Sequence, residues 1–302
     1  MDDAFWEFYW ETRLQHLQGQ GKGAVIRQAS QWLRQASQPL RILEAGCGEG
    51  QIIGALVEAH GSPAGENNSV GIDRDAVALA QARSDNPAIR YLEGDFTDPD
   101  LLQSLGTFDL VLLVNALHHV FSDAYDPLLG EIDAPKGKAA VQTAFAAMAQ
   151  ALKPGGRLIL FDGLEAEAPA GTPVQIRFLT QEAQEKFQTF AREYAPFQIH
   201  YQQDQSDIVT LSLRDFTRYV TKIIFLGKPL WERERHESYQ YFNAEEMHQM
   251  LTGNDFQVLA FQLISVDYDR WLQEISILTS GIEFPPEHVL IIAEKLKNYI
   301  VP

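Results

Sequence analysis

The sequence predicts an α/β fold, and three observations carry that expectation. Residues 42–50, Ile-Leu-Glu-Ala-Gly-Cys-Gly-Glu-Gly, follow an apolar stretch and lead into Ile52-Ile53-Gly54-Ala55-Leu56-Val57, which reads as strand, glycine turn, helix. Short apolar runs that read as further strands recur at 70–73, 89–96 and 108–117. A hydrophobic fraction of 45% over 302 residues supplies a full core for one large domain, or for one domain with a sizeable insertion.

The glycine turn comes first because glycine tolerates positive φ and lets the backbone pass close to a ligand. The helix after it presents unpaired N–H groups to a polar or anionic ligand group. The spacing identifies which turn it is. The dinucleotide fingerprint is G-x-G-x-x-G, whereas here glycines stand at 46, 48 and 50, Gln occupies 51, and Glu44 precedes the first glycine by two. This run resembles motif I of the class I S-adenosylmethionine (SAM)-dependent methyltransferases, E/D-x-G-x-G-x-G.

The resemblance continues in order along the chain. Val70-Gly71-Ile72-Asp73 reads as a second strand ending in an acid, 27 positions after Gly46, which leaves room for one helix and the next strand. The resemblance implies that Asp73 takes the ribose hydroxyls of SAM, with Arg74 beside it; a carboxylate offers two acceptor oxygens to a vicinal diol. Ile89–Phe96 reads as a third strand, and the resemblance makes Asp95 the acceptor for the adenine amino group, with the Phe96 N–H nearby. Residues 108–119 resemble motif IV, where Asn115 and Ala116 would touch the methionine part of SAM through backbone groups. Leu152-Lys153-Pro154-Gly155-Gly156-Arg157-Leu158 resembles the late turn before the fifth strand. The resemblance therefore implies a Rossmann-like seven-stranded methyltransferase sheet with an antiparallel last strand. It implies SAM as cofactor, S-adenosylhomocysteine as product, and Glu44, Gly46, Cys47 and Gly48 as the cradle. Cys47 reads as a small turn residue rather than a nucleophile, since methyl transfer from SAM needs no covalent enzyme intermediate.

Elements outside the motifs complete the expected layout. Residues 4–36 read as helical around a Gly19-Gln20-Gly21 break, and 163–174 as an exit loop. Residues 175–226 read as helical from Ile176, Leu179, Ala183, Phe187, Phe190 and then Leu213, Phe216, Tyr219, Val220, Ile223. Asn243 is an N-cap for a helix from Ala244; 256–266 and 288–295 read as the last two strands. The expected partition is an N-terminal helical lid (1–38), a SAM-binding core (39–162), a helical insert or cap (163–242) and a returning core segment (243–302). Two additions to the sheet are expected, the insert after the fifth strand and the segment between the last two strands with Tyr268, Trp271 and Phe284. Ligands of open α/β sheets sit beyond the carboxyl ends of the strands, and both additions leave from regions near that edge.

Further residues carry chemistry or packing. His118 and His119 follow the fourth strand; an imidazole pKa near ~6.5 suits a general base at neutral pH. The alternative is a histidine packed in the core. The aromatic start Phe5-Trp6-Glu7-Phe8-Tyr9-Trp10 resembles the N-terminal helix of some methyltransferases, which implies a lid with Tyr9 or Arg13 reaching the SAM carboxylate and Trp6 at the acceptor; the alternative is a helix packed on the domain. The stretch Trp231–Tyr241 alternates charge and aromatics. It is either a solvated face or an acceptor site, in which Arg233, Arg235 or His236 takes a carboxylate bidentately and Tyr239 walls the pocket.

Bulk properties bound the partners. A formal net charge of −17 argues against a nucleic-acid substrate. No apolar run approaches the ~18 residues of a membrane span. The start lacks the pattern of a signal peptide, and a single cysteine excludes an internal disulfide, which points to the cytoplasm. No metal is expected: there is no H-E-x-x-H and no clear carboxylate cluster. The N/D-P-P-Y/F tetrad of adenine-N6 and glutamine methylation is missing after the fourth strand. The expected activity is methylation of a small molecule, natural-product-like or peptide-derived, by a monomer or homodimer. The rival readings are an NAD-type oxidoreductase and a non-catalytic binding module on the same fold.

Overall fold

The computed structural model describes residues 22–65, 68–166, 169, 171–264 and 272–297. The aromatic start with Trp6, Tyr9 and Arg13, and also Tyr268 and Trp271, lie outside the described residues.

Helix α1 (Lys22–Leu33) leads into β1 (Ile42–Ala45), α2 (Gln51–His60), β2 (Val70–Asp73), α3 (Ala76–Asp85), β3 (Arg90–Glu93), α4 (Pro99–Leu105) and β4 (Phe108–Val114). Next come α5 (Leu117–Ser122), the two-residue strands β5 (Tyr125–Asp126) and β6 (Glu131–Ile132), α6 (Ala134–Gln150) and the long strand β7 (Leu152–Gly163). The insert contributes β8 (Pro173–Phe178), α7 (Gln181–Glu193), β9 (Tyr201–Gln205), β10 (Ile208–Ser212), α8 (Leu213–Lys222) and the single turn α9 (Trp231–Glu234). The chain returns with α10 (Ala244–Gly253), β11 (Phe256–Ile264), β12 (Ile275–Ile277) and β13 (His288–Lys295).

The main sheet has seven strands in the order β11-β13-β7-β4-β1-β2-β3. Its β1–β2, β2–β3, β1–β4 and β4–β7 pairs are parallel. Strand β13 runs antiparallel to both of its neighbours, as the sequence leads one to expect.

Helices cover both faces, so the central strands must be apolar on both sides. Strand β4 shows how one sequence serves two cores. Leu110, Leu112 and Val114 join Ile53, Leu56 and Val25 on one face, while Val111 and Leu113 join Phe145 and Met148 on the other. Phe108 shares the face of Val111, three residues on, because the register slips between Phe108 and Leu110 and resets the alternation.

Local signals place the helices. Asp75 caps α3 by accepting from Val77 N and Ala78 N. Asp98 caps α4 in the same way, with Pro99 at the first helical position. Asn243 and Glu246 form a reciprocal capping box at α10.

The insert departs from the all-helical expectation. Helices α7 and α8 are present, but β8, β9 and β10 join β12 in a second, four-stranded sheet of order β12-β8-β10-β9. The physical reason lies in the period around Thr180. Val174, Ile176 and Phe178 alternate and are buried, whereas Leu179 is exposed and Thr180 caps α7 by accepting from Ala183 N. The helical spacing read from Ile176 through Leu179 to Ala183 therefore runs across a strand end and a cap. The two additions to the core form one unit, because β12, from the second addition, pairs antiparallel with β8 from the first. That unit buries its own core of Phe187, Phe190, Phe216, Tyr219, Val220 and Ile275.

Candidate active site

The carboxyl ends of β1, β2, β3, β4 and β7 converge on one edge of the main sheet, and the turns that leave them carry the candidate site. The turn after β1 holds Gly46, Gly48 and Gly50 at φ 72°, 51° and 70°. Gly46 N and Cys47 N both donate to Ile72 O, at 2.8 and 3.0 Å, and this stitches the turn to β2. A Cβ on Gly50 would lie 2.4 Å from the Tyr91 hydroxyl, so that glycine answers a close approach as well as a left-handed φ. At Gly48 a Cβ would meet nothing within 4 Å; that side of the turn is open.

Acids hold this turn in shape. Glu44 is buried, and its carboxylate accepts from Ile53 N at 2.9 Å. Since Gly50 precedes α2 without a side-chain cap, Glu44 supplies from β1 the acceptor that the helix start lacks. Asp73 accepts from Gly48 N at 2.7 Å through Oδ2 and from Asp75 N at 2.9 Å through Oδ1. Each carboxylate oxygen keeps a second lone pair for a ligand. Asp95 accepts from Thr97 N and the Thr97 hydroxyl and pairs with Arg74, which also pairs with Asp123 at 2.9 Å. Burial works against the Asp95 carboxylate, but Thr97 and Arg74 outweigh it and hold its pKa below the usual range. Phe96 is buried in the core next to it. Cys47 is buried, and that burial, with Glu44 and Asp73 adding to it, pushes its thiol far up. It is a neutral turn residue, not a nucleophile.

After β4, Asn115 holds a left-handed φ of 51°, a conformation asparagine tolerates better than most residues. Its N–H donates to Phe161 O at 2.7 Å, while its buried Oδ1 has no hydrogen-bond partner among the described residues. Ala116 is fully buried, and a Cβ on Gly46 would lie 3.1 Å from the Ala116 Cβ, so the turns after β1 and β4 touch.

These residues fit SAM. A glycine-rich turn open at Gly48, a carboxylate with spare lone pairs at the end of β2 and a buried amide oxygen without a hydrogen-bond partner among the described residues at the end of β4 suit the polar, zwitterionic cofactor. The candidate ligands would be the Gly46–Gly48 backbone, Asp73, Asp95 and Asn115. Glu44 holds the turn from behind.

The two histidines separate in role. His118 is 1% exposed, and its Nδ1 lies 2.7 Å from Asp162 Oδ1. Asp162 is fully buried at the end of β7 and also accepts from Leu117 N at 2.8 Å. Burial alone would push the His118 imidazole down; Asp162 and Glu237 outweigh it and raise its pKa. His119 is a third exposed, and its Nδ1 lies 3.2 Å from Glu237 Oε1. Burial and its neighbour His118 lower its pKa. Tyr239 lies on His118 with ring centroids 4.1 Å apart.

The insert reaches the sheet edge at this point. Ser238 N donates to the Ser122 hydroxyl at 3.0 Å. In the charged stretch, Arg233 pairs with Glu237 at 3.1 Å and Arg235 with Glu232 at 3.2 Å. His236 is exposed, and Tyr239 is buried with its hydroxyl 3.0 Å from Glu234. Glu234 in turn bonds the fully buried Lys222 at 2.6 Å. The alternating charges are thus largely spent on local pairs.

Two residues at this edge escaped the sequence reading. Asp162 carried the signal that marked Asp73 and Asp95, an acid at the carboxyl end of a parallel strand. Glu237 carried none, since its link to the histidines crosses more than a hundred residues.

Comparison with known proteins adds the family. Residues 43–160 match the family model described as a methyltransferase domain. The matched segment is a SAM-dependent methyltransferase domain. No curated protein matches the chain.

Three solved structures are similar along most of its length. A TehB-like SAM-dependent methyltransferase from Corynebacterium glutamicum is 16% identical, covering 97% of this chain and 100% of its own, with a TM-score of 0.44. The 1,6-didemethyltoxoflavin-N1-methyltransferase of Burkholderia thailandensis, with its substrate and S-adenosylhomocysteine bound, is 14% identical over 96% and 86%, at 0.46. A SAM-bound amino pentose methyltransferase of calicheamicin biosynthesis from Micromonospora echinaspora is 17% identical over 95% and 96%, at 0.45. Among the described residues, no helix is long and apolar enough to cross a membrane.

Proposed function

We propose that this chain methylates a small molecule held between the carboxyl edge of the main sheet and the insert. The observation that carries this reading is the seating of Glu237–Tyr239 against His118 and His119 at the end of β4. The net charge of −17 supports the same reading, since a phosphate backbone needs a basic surface.

In this reading residues 163–242 cap the acceptor and 39–162 with 243–302 form the core. Of the segment 1–38, expected as a lid, helix α1 packs instead into the core through Ala24, Val25, Ala29 and Leu33, and residues 1–21 lie outside the described residues. The single cysteine and the acidic composition support a cytoplasmic protein.

SAM supplies an activated methyl group on a sulfonium. The protein's work is then to hold the acceptor in line and exclude water. Asp73, Asp95 and Asn115 anchor the cofactor side. His118, clamped by Asp162 beneath Tyr239, positions the wall; His119, a third exposed, is the histidine an acceptor can touch.

Methyl-labelled SAM offered with pooled small metabolites, tRNA and a protein extract is expected to label the small-molecule fraction alone. Label confined to tRNA or protein would overturn the small-acceptor reading.

A further inference from the structure

We propose that His118, His119 and Glu237 form a binding site for one divalent cation of the Zn2+ class, at the junction of core and insert. His118 Nε2 is buried, lies 3.8 Å from Glu237 Oε2, and neither atom has a hydrogen-bond partner among the described residues. At that distance the two atoms do not bond each other. Two buried polar atoms that face one another at ion-pair distance without a hydrogen bond to either leave room between them for a shared cation. His119 Nδ1, 3.2 Å from Glu237 Oε1, is the third donor, and the donor atoms of the three residues all lie within 4.8 Å of one another. Ligands about 2.1 Å from a tetrahedral zinc stand about 3.4 Å apart, so the cluster closes on an ion through small side-chain movements.

The surroundings are those of a built metal site. A metal-bound histidine ordinarily donates its other ring nitrogen to a carboxylate, and ligating carboxylates are themselves hydrogen-bonded. Asp162 receives His118 Nδ1 at 2.7 Å, which turns Nε2 toward the cluster. Arg233 donates to Glu237 Oε1 at 3.1 Å and leaves Oε2 for the ion.

Two imidazoles and one carboxylate select Zn2+ or a neighbouring first-row cation over Mg2+ or Ca2+, which prefer oxygen alone. Three protein ligands leave a coordination position for an acceptor oxygen or nitrogen, as in catalytic rather than structural zinc sites. The expectation from sequence was no metal. It looked for ligand motifs within one segment, whereas the third ligand here comes from the insert.

The test uses tag-free full-length protein stripped with a chelator and titrated with Zn2+ by calorimetry and with Co2+ by its visible absorption. Saturable binding of one ion per chain is expected, with Co2+ bands of low coordination number. Glu237→Gln and His119→Ala are expected to weaken binding at least a hundredfold, and Asp162→Asn by about tenfold to a hundredfold. Thermal unfolding of each variant in chelator establishes that it is folded. S-adenosylhomocysteine binding, measured on the same samples, is expected to persist, which separates failure of the metal site from failure of the methyltransferase reading. No saturable cation binding by the wild type, or unchanged binding in folded Glu237→Gln, would overturn the proposal.

Discussion

Replacing Asp73 with alanine is expected to weaken SAM and S-adenosylhomocysteine binding by a hundredfold or more while leaving the protein folded. Asp73 acts twice at the cradle. It accepts from Gly48 N at 2.7 Å and so fixes the glycine turn, and it keeps spare lone pairs at the end of β2 where a ribose diol would be received. Two hydrogen bonds to a charged acceptor, at about 1.5–3 kcal/mol each, account for a loss of that size, because about 1.4 kcal/mol is tenfold in affinity. The cost to folding is smaller, about 1–2 kcal/mol. Asp73 is only half-buried and its hydrogen bond from Gly48 N is part-buried, so water can replace the lost carboxylate. Calorimetry beside a thermal melt measures both effects. A dissociation constant within about threefold of the wild type would mean that the cradle does not depend on this acid.

Gly163→Ala is expected to destabilise the fold by about 3 kcal/mol, near the top of the usual range for overpacking. A Cβ there would lie 2.1 Å from Tyr239 O, 2.5 Å from its Cβ and 2.6 Å from its carbonyl carbon. Two of these are backbone atoms, so rotation of a side chain gives no relief. Gly163 also pairs with His288 at the end of the main sheet, which resists movement from the other side. The segment from Glu237 to Phe242 would have to lift from β7, taking Tyr239 off His118. Urea unfolding and hydrogen exchange of that segment read the effect. Gly253→Ala is the control: a Cβ there meets nothing within 4 Å, at the end of a helix, and its expected change is within about 1 kcal/mol. A Gly163→Ala shift as small as the control's would show that the insert does not depend on this close contact.

The parts of this molecule legible in the sequence are those whose signals are local. Strands β1, β2 and β7 are apolar runs closed by a glycine or an acid, and Asp75 and Asn243 sit where caps belong. Helix α8 was readable from Leu213, Phe216, Tyr219, Val220 and Ile223, because one stripe meets one core. Strand β9, Tyr-Gln-Gln-Asp-Gln, was not, because all five of its residues are exposed at the edge of its sheet and carry no apolar alternation. The pairing of β12 with β8 joins segments about a hundred residues apart, and no spacing rule connects them.

The same division runs through the site. Gly46, Gly48, Asp73 and Asp95 stand at or just after strand ends, where an ordered set of local signals marks them. The buried Asp162–His118 pair and its meeting with Glu237 depend on how the insert folds back, which only the structure shows. The match of residues 43–160 to a methyltransferase domain runs against the NAD-type alternative and leaves the non-catalytic module to be tested by binding.

The most direct test of the central claim is calorimetric titration of the intact protein with SAM, S-adenosylhomocysteine and NAD. Saturable micromolar binding of the first two at one site per chain, with no heat from NAD, is the predicted result. Absence of binding by both SAM and S-adenosylhomocysteine, or preferential binding of NAD, would contradict the assignment of the Gly46–Asp73–Asp95–Asn115 edge as the cofactor seat.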